Sequence, residues 1–499
     1  MPYLTPFFKS KPVLKKNILL FLLGMLGALS FAPYYIIPFI WITFWVLMYF
    51  IITAKNKKQV ASFSFFCGFG LGVSSLSWIC NALLVDDGAF AVFIPLALMG
   101  LGTFLGLFFM LPALCTALFK KPVSKWLAFG ACFVFFEWVR SWLFTGFPWN
   151  LIGNIWTFFP PVLQTASLAG VYGLSLLSVL LFTSMALLPK KRYFIILSII
   201  FCCCLMAGFM RLYESPKEMV WGVKLRLVQP NISQSLKWNP QKAQENYETL
   251  LSLSRENNTD ITHVIWPESA MPFYPEIDEV STRRLMSALR QGATLLAGGL
   301  RVVDIKKRQL ANALFIFDDL ADIKGYYDKS HLVPFGEYVP FREFLKIDKL
   351  VPIPSDFIKG KGVETIYVPK APPVSPLVCY EVIFPTEVVN KSKRPEWILN
   401  ITNDAWYGLS AGPYQHLSIA QMRAVEEGLP LVRSTNNGVS AVINPYGEII
   451  SSLDLGLKGV LDSPLPRAEK VTPYASFGNK IPLFLVGLVL LLAIFRNKR

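Results

Sequence analysis

Apolar residues gather in long runs over the first two-fifths of the chain and again at its end, and the pattern shortens sharply between. Runs near the length that crosses a bilayer as a helix, about 20 residues, fall at roughly 17–33, 34–53, 60–80, 89–118, 126–144, 162–188 and 194–211. An eighth lies near 478–495, with 481–495 as its uninterrupted part. The first run is followed by Ser30-Phe31-Ala32-Pro33 without a small-x-small cleavage site, so it reads as a retained span. From residue 223 short β-type runs take over, at 223–229, 262–266, 294–299, 311–317, 365–368, 376–379, 397–402 and 439–444. Helical patterns at 240–256, 277–290 and 413–427 separate several of them, and alternation of this kind predicts an α/β layer fold. The runs 313–317 and 323–327, joined around Asp318-Asp319, predict an antiparallel hairpin, hence a mixed sheet. The expected organisation is a membrane bundle of seven helices over 1–213, an α/β domain over 214–477, and an eighth helix with a short tail over 478–499.

Composition agrees with this division. Hydrophobic residues make up 53% of the 499 and charged residues 16%, against about 25% charged in an ordinary globular chain. That excludes a disordered protein and a simple soluble enzyme. The net charge of +15 suggests nucleic acid until it is located. Residues 214–480 hold 30 basic and 30 acidic side chains; the apolar remainder holds 18 and 3. The excess therefore marks loops between spans, and nucleic acid is not an expected partner. Lys9, Lys11, Lys15 and Lys16, then Lys55, Lys57 and Lys58, then Lys120, Lys121 and Lys125, then Lys190, Lys191 and Arg192, and finally Arg496, Lys498 and Arg499 fall on alternate loops. They predict eight spans with both termini on the cytoplasmic side and the α/β domain outside the cytoplasm.

Inside the spans the ionisable residues are essentially Glu137 and Arg140, three apart and so on one helix face. They read either as a buried structural pair or as part of an ion path. Gly102, Gly106, Gly68, Gly70 and Gly72 read as close helix packing.

Seven of the eight cysteines lie in or at the ends of apolar runs; only Cys379 belongs to the α/β domain. Without a local partner it is either a buried bystander or a reactive thiol. It ends the strand-like run Ser375-Pro376-Leu377-Val378-Cys379 and precedes Tyr380-Glu381, where an α/β sheet presents a nucleophile. Trp266-Pro267-Glu268 sets a carboxylate at a strand end, in surroundings that could raise its pKa for acid/base use. Asp328-Lys329 ends another strand. His263, His331 and His416 lack zinc-type spacing, and no Gly-x-x-x-x-Gly-Lys-Ser/Thr loop occurs, so neither a metal nor a nucleotide cofactor is expected.

Trp266-Pro267-Glu268, Asp328-Lys329 and Leu377-Val378-Cys379-Tyr380-Glu381 together resemble the Glu-Lys-Cys signature of the nitrilase superfamily of carbon–nitrogen hydrolases. With eight spans beside it, the whole chain resembles the apolipoprotein N-acyltransferase family of the Gram-negative inner membrane. Leu227-Val228-Gln229-Pro230-Asn231, Pro334-Phe335-Gly336-Glu337-Tyr338 and Asn403-Asp404-Ala405-Trp406-Tyr407-Gly408 extend the likeness; Tyr407, where Phe is expected, is a small departure. The resemblance implies an αββα sandwich facing the periplasm. It also implies transfer of an acyl chain from a phospholipid, sn-1 of phosphatidylethanolamine, to the α-amine of a diacylglyceryl-modified N-terminal cysteine of an apolipoprotein. Cys379 would be the nucleophile, its pKa lowered by Lys329, and Glu268 the acid and base, in a ping-pong sequence through a thioester. Glu337 would hold Lys329; Tyr380 and Glu381 would shape the nucleophile's surroundings; Trp238 and Trp406 would line the lipid entrance. A monomer is expected, with the segment 341–358 either a lid at the lipid interface or a plain loop.

Three alternatives stay open at this point. His331, two residues from Lys329 and on the same face if both lie on a strand, is a fallback base. The same residues could release acyl groups to water as a membrane-anchored amidase. An inert α/β domain on a transporter or scaffold is the third.

Overall fold

The computed structural model describes residues 12–85, 88, 90–237, 239–339 and 356–498. Packing divides the chain into two units. The first draws on the chain up to Leu84, on Gly88–Glu214 and on Thr472–Arg499; the second is built on Ser215–Val471.

A helix occupies each of the eight apolar runs of the first unit. By length and apolar composition six can cross a membrane: Val13–Ser30, Ala91–Leu118, Pro122–Arg140, Ala166–Leu188, Arg192–Tyr213 and Lys480–Lys498. The run at 60–80 is not one straight span. Lys57–Ser75 and Ser77–Leu84 meet at a bend of 44°, and the two together make a seventh. Ile37–Thr53 is apolar but shorter, at 17 residues.

The glycines do pack helices closely. A Cβ on Gly68 would lie 2.7 Å from Phe109 Cβ, and one on Gly102 2.7 Å from Val73 Cγ2, so the helices Lys57–Ser75 and Ile94–Cys115 touch where side chains are missing. Glu137 and Arg140 are both buried, and each holds backbone. Glu137 Oε1 accepts from the Ile152 N–H at 2.8 Å, and Arg140 Nη1 donates to the Trp149 carbonyl at 2.8 Å. Buried irregular backbone needs such partners, because an unpaired N–H or C=O there is costly. The C-terminal helix returns to a basic loop: Asn497 Oδ1 accepts from the Lys120 N–H at 2.8 Å. Lys16 Nζ stands 5.4 Å from the Phe50 ring centre, which brings the start of the first helix and the end of the second to one end of the bundle.

The second unit has eleven described strands: β1 (Met219–Gln229), β2 (His263–Ile265), β3 (Thr294–Asp304), β4 (Gln309–Phe317), β5 (Ile323–Asp328), β6 (Val374–Val378), β7 (Trp397–Thr402), β8 (Leu431–Thr435), β9 (Ser440–Ile443), β10 (Ile449–Leu453) and β11 (Gly459–Pro466). They form two mixed sheets, ordered β11-β1-β2-β3-β4-β5 and β10-β9-β8-β7-β6. Within them β1, β2 and β3 run parallel, as do β6, β7 and β8; the outer strands pair antiparallel. β1 lies against β8 and β4 against β6, so the sheets face each other. Helix Ala243–Arg255 covers β1 and β11, and helix Ala411–Glu427 packs on β8. Covered on both sides, β6, β7 and β8 are buried along their whole length, as parallel strands between layers are.

Several sequence expectations change here. The hairpin is present, with Leu314 opposite Tyr327 across β4 and β5. The run 365–368 is not a strand; Ile366 makes only a single bridge to Val374. The helix at 277–290 shrinks to Glu279–Arg284 followed by a 3-10 turn, Leu285–Ala288. Strands β8, β10 and β11 were not legible as apolar runs. β8 carries Arg433 at its centre, β10 is largely exposed, and β11 mixes exposed, half-buried and buried positions. β11 nonetheless fixes a buried charge: Arg226 of β1, 1% exposed, faces Asp462 across the pair and binds it at 2.7 Å.

Candidate active site

Glu268 stands in the turn after β2. The turn is clamped to β3, where the Gly298 carbonyl accepts from the Ala270 and Met271 N–H groups at 2.9 and 3.1 Å. Gly298 must be glycine for steric reasons: a Cβ there would lie 2.3 Å from the Pro267 carbonyl oxygen and 2.7 Å from Glu268 Cα. So anchored, the buried carboxylate accepts from the Asn403 N–H at 2.9 Å and from Asn312 Nδ2 at 2.8 Å.

Lys329 follows β5, and its N–H donates to the Asn312 carbonyl at 2.8 Å. Its ammonium is 1% exposed and lies 3.0 Å from Glu337 Oε1 and 3.4 Å from Glu268 Oε1. Asn312 Nδ2 also reaches Glu337, at 3.1 Å, so one amide and one ammonium bridge the same two carboxylates. The other oxygen of Glu337 accepts from the Val333 N–H at 2.9 Å. Burial opposes the charge on Lys329, but Glu337 and Glu268 outweigh it and raise its pKa. Lys329 is a permanent ammonium.

Cys379 does not end β6 as the sequence suggests. β6 stops at Val378, and Cys379 opens a 3-10 turn, Cys379–Ile383, in the left-handed region at φ 56°. A cysteine held there costs on the order of 1–3 kcal/mol unless its surroundings impose it. Glu381 supplies part of that constraint. Its Oε2 accepts from the Val378 N–H at 2.7 Å, and its Oε1 accepts from the N–H groups of Ser330 and His331 at 2.6 and 3.0 Å. The Ser330 and Tyr327 hydroxyls donate to the same oxygen at 2.8 and 3.0 Å. Glu381 thus ties the turn bearing the thiol to the turn bearing the ammonium.

Burial pushes the Cys379 thiol up to about 12, and the Glu268 carboxylate adds to the effect. Lys329 pulls it down, as expected from the sequence, and a hydrogen bond from Thr402 helps; together they are outweighed. The resting sulfur is therefore a protonated thiol, and attack requires a base to take its proton as the bond forms.

Tyr380 is buried, edge-on to Phe384 at 5.0 Å between ring centres. Trp406 is half-buried in the turn Asp404–Tyr407, but its neighbour Tyr407 is the ring that feels Cys379, Asp404 and Glu268; burial foremost raises the Tyr407 phenol well above its ordinary pKa. Trp238 and 341–355, the bulk of the expected lid, lie outside the described residues. The face-sharing argument for His331 fails because β5 ends at Asp328; the imidazole stacks on Phe384 at 3.8 Å, with Glu387 at 3.9 Å.

Sequence reading missed Asn312 and Lys237. Asn312 is a lone amide in the apolar run of β4, and a polar residue in such a run was the available signal. Lys237 donates to the Glu268 carbonyl at 2.9 Å, and burial lowers its pKa to about 8 against the pull of Glu268 and Cys379. Among the described residues no group of three or more His, Cys, Asp or Glu side chains is placed to hold a metal ion.

Residues 224–470 match the carbon–nitrogen hydrolase family, and residues 23–184 match the apolipoprotein N-acyltransferase N-terminal domain. An apolipoprotein N-acyltransferase of Bradyrhizobium diazoefficiens is 38% identical over 97% of this chain and 95% of its own. The chain belongs to the apolipoprotein N-acyltransferase family. Members from Rhodopseudomonas palustris and Rickettsia prowazekii are each 36% identical, over 97% and 96% of this chain and 96% and 98% of theirs. Family membership and the apolar helices make it a multi-pass membrane acyltransferase with a nitrilase-like domain. Among solved structures, a mutant amidase of the nitrilase superfamily from Nesterenkonia aligns with a TM-score of 0.38 at 18% identity, over 51% of this chain and 93% of that one.

Proposed function

We propose that this chain moves a fatty acyl group from a phospholipid to the α-amine of the diacylglyceryl-modified N-terminal cysteine of an apolipoprotein, through a thioester on Cys379. One observation carries the chemistry: a buried carboxylate, ammonium and thiol from three strand ends act on one another in a single cluster, as Glu268, Lys329 and Cys379. Glu268 takes the thiol proton as Sγ attacks the ester carbonyl, and Lys329 stabilises the oxyanion. The carbon–oxygen ester bond breaks, and the lysophospholipid hydroxyl leaves with the proton held by Glu268. The acceptor amine then attacks the thioester, Glu268 receives its proton, and Cys379 leaves and is reprotonated. An ester becomes an amide, which runs downhill without a nucleotide. Glu337 positions Lys329, Tyr380 and Glu381 shape the nucleophile's turn, and Trp238 and Trp406 line the lipid entrance.

The same reading takes 1–213 and 478–499 as an eight-span anchor in the bacterial inner membrane and 214–477 as a periplasmic catalytic domain of a monomer. Basic residues on alternate loops support that orientation. So does the hydrogen bond that returns Asn497 to the Lys120 loop.

The test is the intact mass of the purified protein after incubation with phosphatidylethanolamine and no acceptor. A gain of one acyl chain, absent in Cys379→Ala and discharged by a diacylglyceryl-cysteine peptide, is expected. Free fatty acid released without an adduct would replace the transferase by a hydrolase.

A further inference from the structure

A second set of buried polar residues lies behind the nucleophile, and no step of the reaction uses it. Asn400 and Thr402 come from β7, Asp404 from the turn after it, Arg433 from β8 and His416 from helix Ala411–Glu427. All five are fully buried. Burying so many polar groups is unfavourable unless each is satisfied, and such clusters are kept for what they hold in place.

Their bonds converge on Cys379 from two sides. Arg433 Nη2 donates to Asp404 Oδ2 at 2.6 Å, and Arg433 Nη1 donates to Asn400 Oδ1. With its oxygen so fixed, Asn400 must turn its amide nitrogen to the other side, where it donates to the carbonyls of Leu377 at 3.2 Å and Cys379 at 3.1 Å. On the second side, Thr402 Oγ1 donates to Asp404 Oδ1 at 3.1 Å, and the same hydroxyl interacts with the Cys379 sulfur. His416 Nδ1 lies 3.0 Å from the same Asp404 oxygen, and its ring also interacts with the Cys379 carbonyl. The pocket around Asp404 is closed by Gly438, where a Cβ would lie 2.4 Å from Oδ2.

We propose that the Asp404–Arg433 pair anchors two positioning arms for the nucleophile: Asn400, which holds the carbonyl of Cys379 and with it the left-handed backbone, and Thr402, which aims the sulfur. The proposal rests on Cys379 being the acylated residue. Asp404 stays ionised, its carboxyl held at about 2 against burial by Arg433 and His416, so the anchor keeps its charge through the working pH range. The charged and titratable groups acting on Cys379 are Glu268, Lys329, Asp404, Lys237, Tyr407 and Tyr380, with His416 behind them.

Thr402→Val keeps shape and burial while deleting the hydroxyl. Two quantities are measured on the full-length protein in detergent: the rate of acyl-adduct formation with phosphatidylethanolamine, and the pH profile of Cys379 alkylation by iodoacetamide. The expected result is a 10- to 100-fold slower adduct with the phospholipid KM within twofold of wild type, and an alkylation profile displaced from that of wild type. Thr402→Ser restores both. Asn400→Leu slows the adduct at least as much at unchanged KM; if that chain does not fold, the Thr402 pair decides alone. Wild-type adduct rate and an unmoved alkylation profile in Thr402→Val would overturn the proposal. A wild-type protein that forms no adduct at all would instead remove Cys379 as nucleophile, a separate failure.

Discussion

Glu381 Oε1 accepts the Ser330 N–H at 2.6 Å, and through that bond the turn after β6 and the turn after β5 share one carboxylate. Neither turn belongs to a sheet ladder at that point, so the relative position of thiol and ammonium depends on it. Glu381→Gln keeps the volume but presents an NH₂ where donors converge. Each buried donor left unpaired costs about 1–3 kcal/mol. The expected outcome is a loss of kcat on the order of 100-fold with KM for phospholipid nearly unchanged, measured by steady-state acyl transfer in detergent.

Replacing Glu268 separates the thiol's acidity from its catalysis. The Glu268 charge helps hold the Cys379 thiol up to about 12, so Glu268→Gln lowers that pKa. Below about pH 12 a larger fraction is then thiolate, and iodoacetamide alkylates Cys379 faster than in wild type at the same pH. Acyl-adduct formation nevertheless falls by roughly 10²–10⁴, the usual contribution of a general acid/base. Parallel alkylation and mass measurements check both halves; a fall in both would deny Glu268 its effect on the thiol.

Lys329→Met leaves Glu268 and Glu337 facing each other in a buried site, bridged by Asn312. Removing one partner of a buried pair costs about 3–5 kcal/mol. A lower melting temperature accompanies loss of activity. Thermal unfolding of the variant beside wild type reads this directly.

Gly298→Ala tests the seat of Glu268 without touching a polar group. The added methyl collides with the Pro267 carbonyl and Glu268 Cα, and the turn shifts by some tenths of an ångström. A misplaced catalytic group is expected to reduce kcat by about 10²-fold. Activity with a folded-protein control checks it, and an active Gly298→Ala enzyme would show that the turn yields elsewhere.

The sequence by itself determined the parts whose signal is local. Twenty-residue apolar runs locate the membrane helices, because a helix in lipid must be apolar along its whole length. The change to short β-type runs marks the α/β unit, and the hairpin of β4 and β5 is written in its two runs and the Asp318-Asp319 turn. The three residues offered for the chemistry are the ones the fold gathers, since each follows a strand with a recognisable turn sequence. Only tertiary structure decided the rest. Arg226 and Asp462 are 236 residues apart, and nothing near either shows that β11 closes the first sheet. β8 hides because Arg433 breaks its apolar run, and that charge is tolerable only beside Asp404 and Asn400. The left-handed Cys379 is equally silent in sequence, and Asn312 shows only as a polar residue in an apolar run, with nothing near it to name the two carboxylates it bridges. Periodicity records what each segment buries, whereas partner, register and backbone strain are set by groups that meet only when distant segments pack.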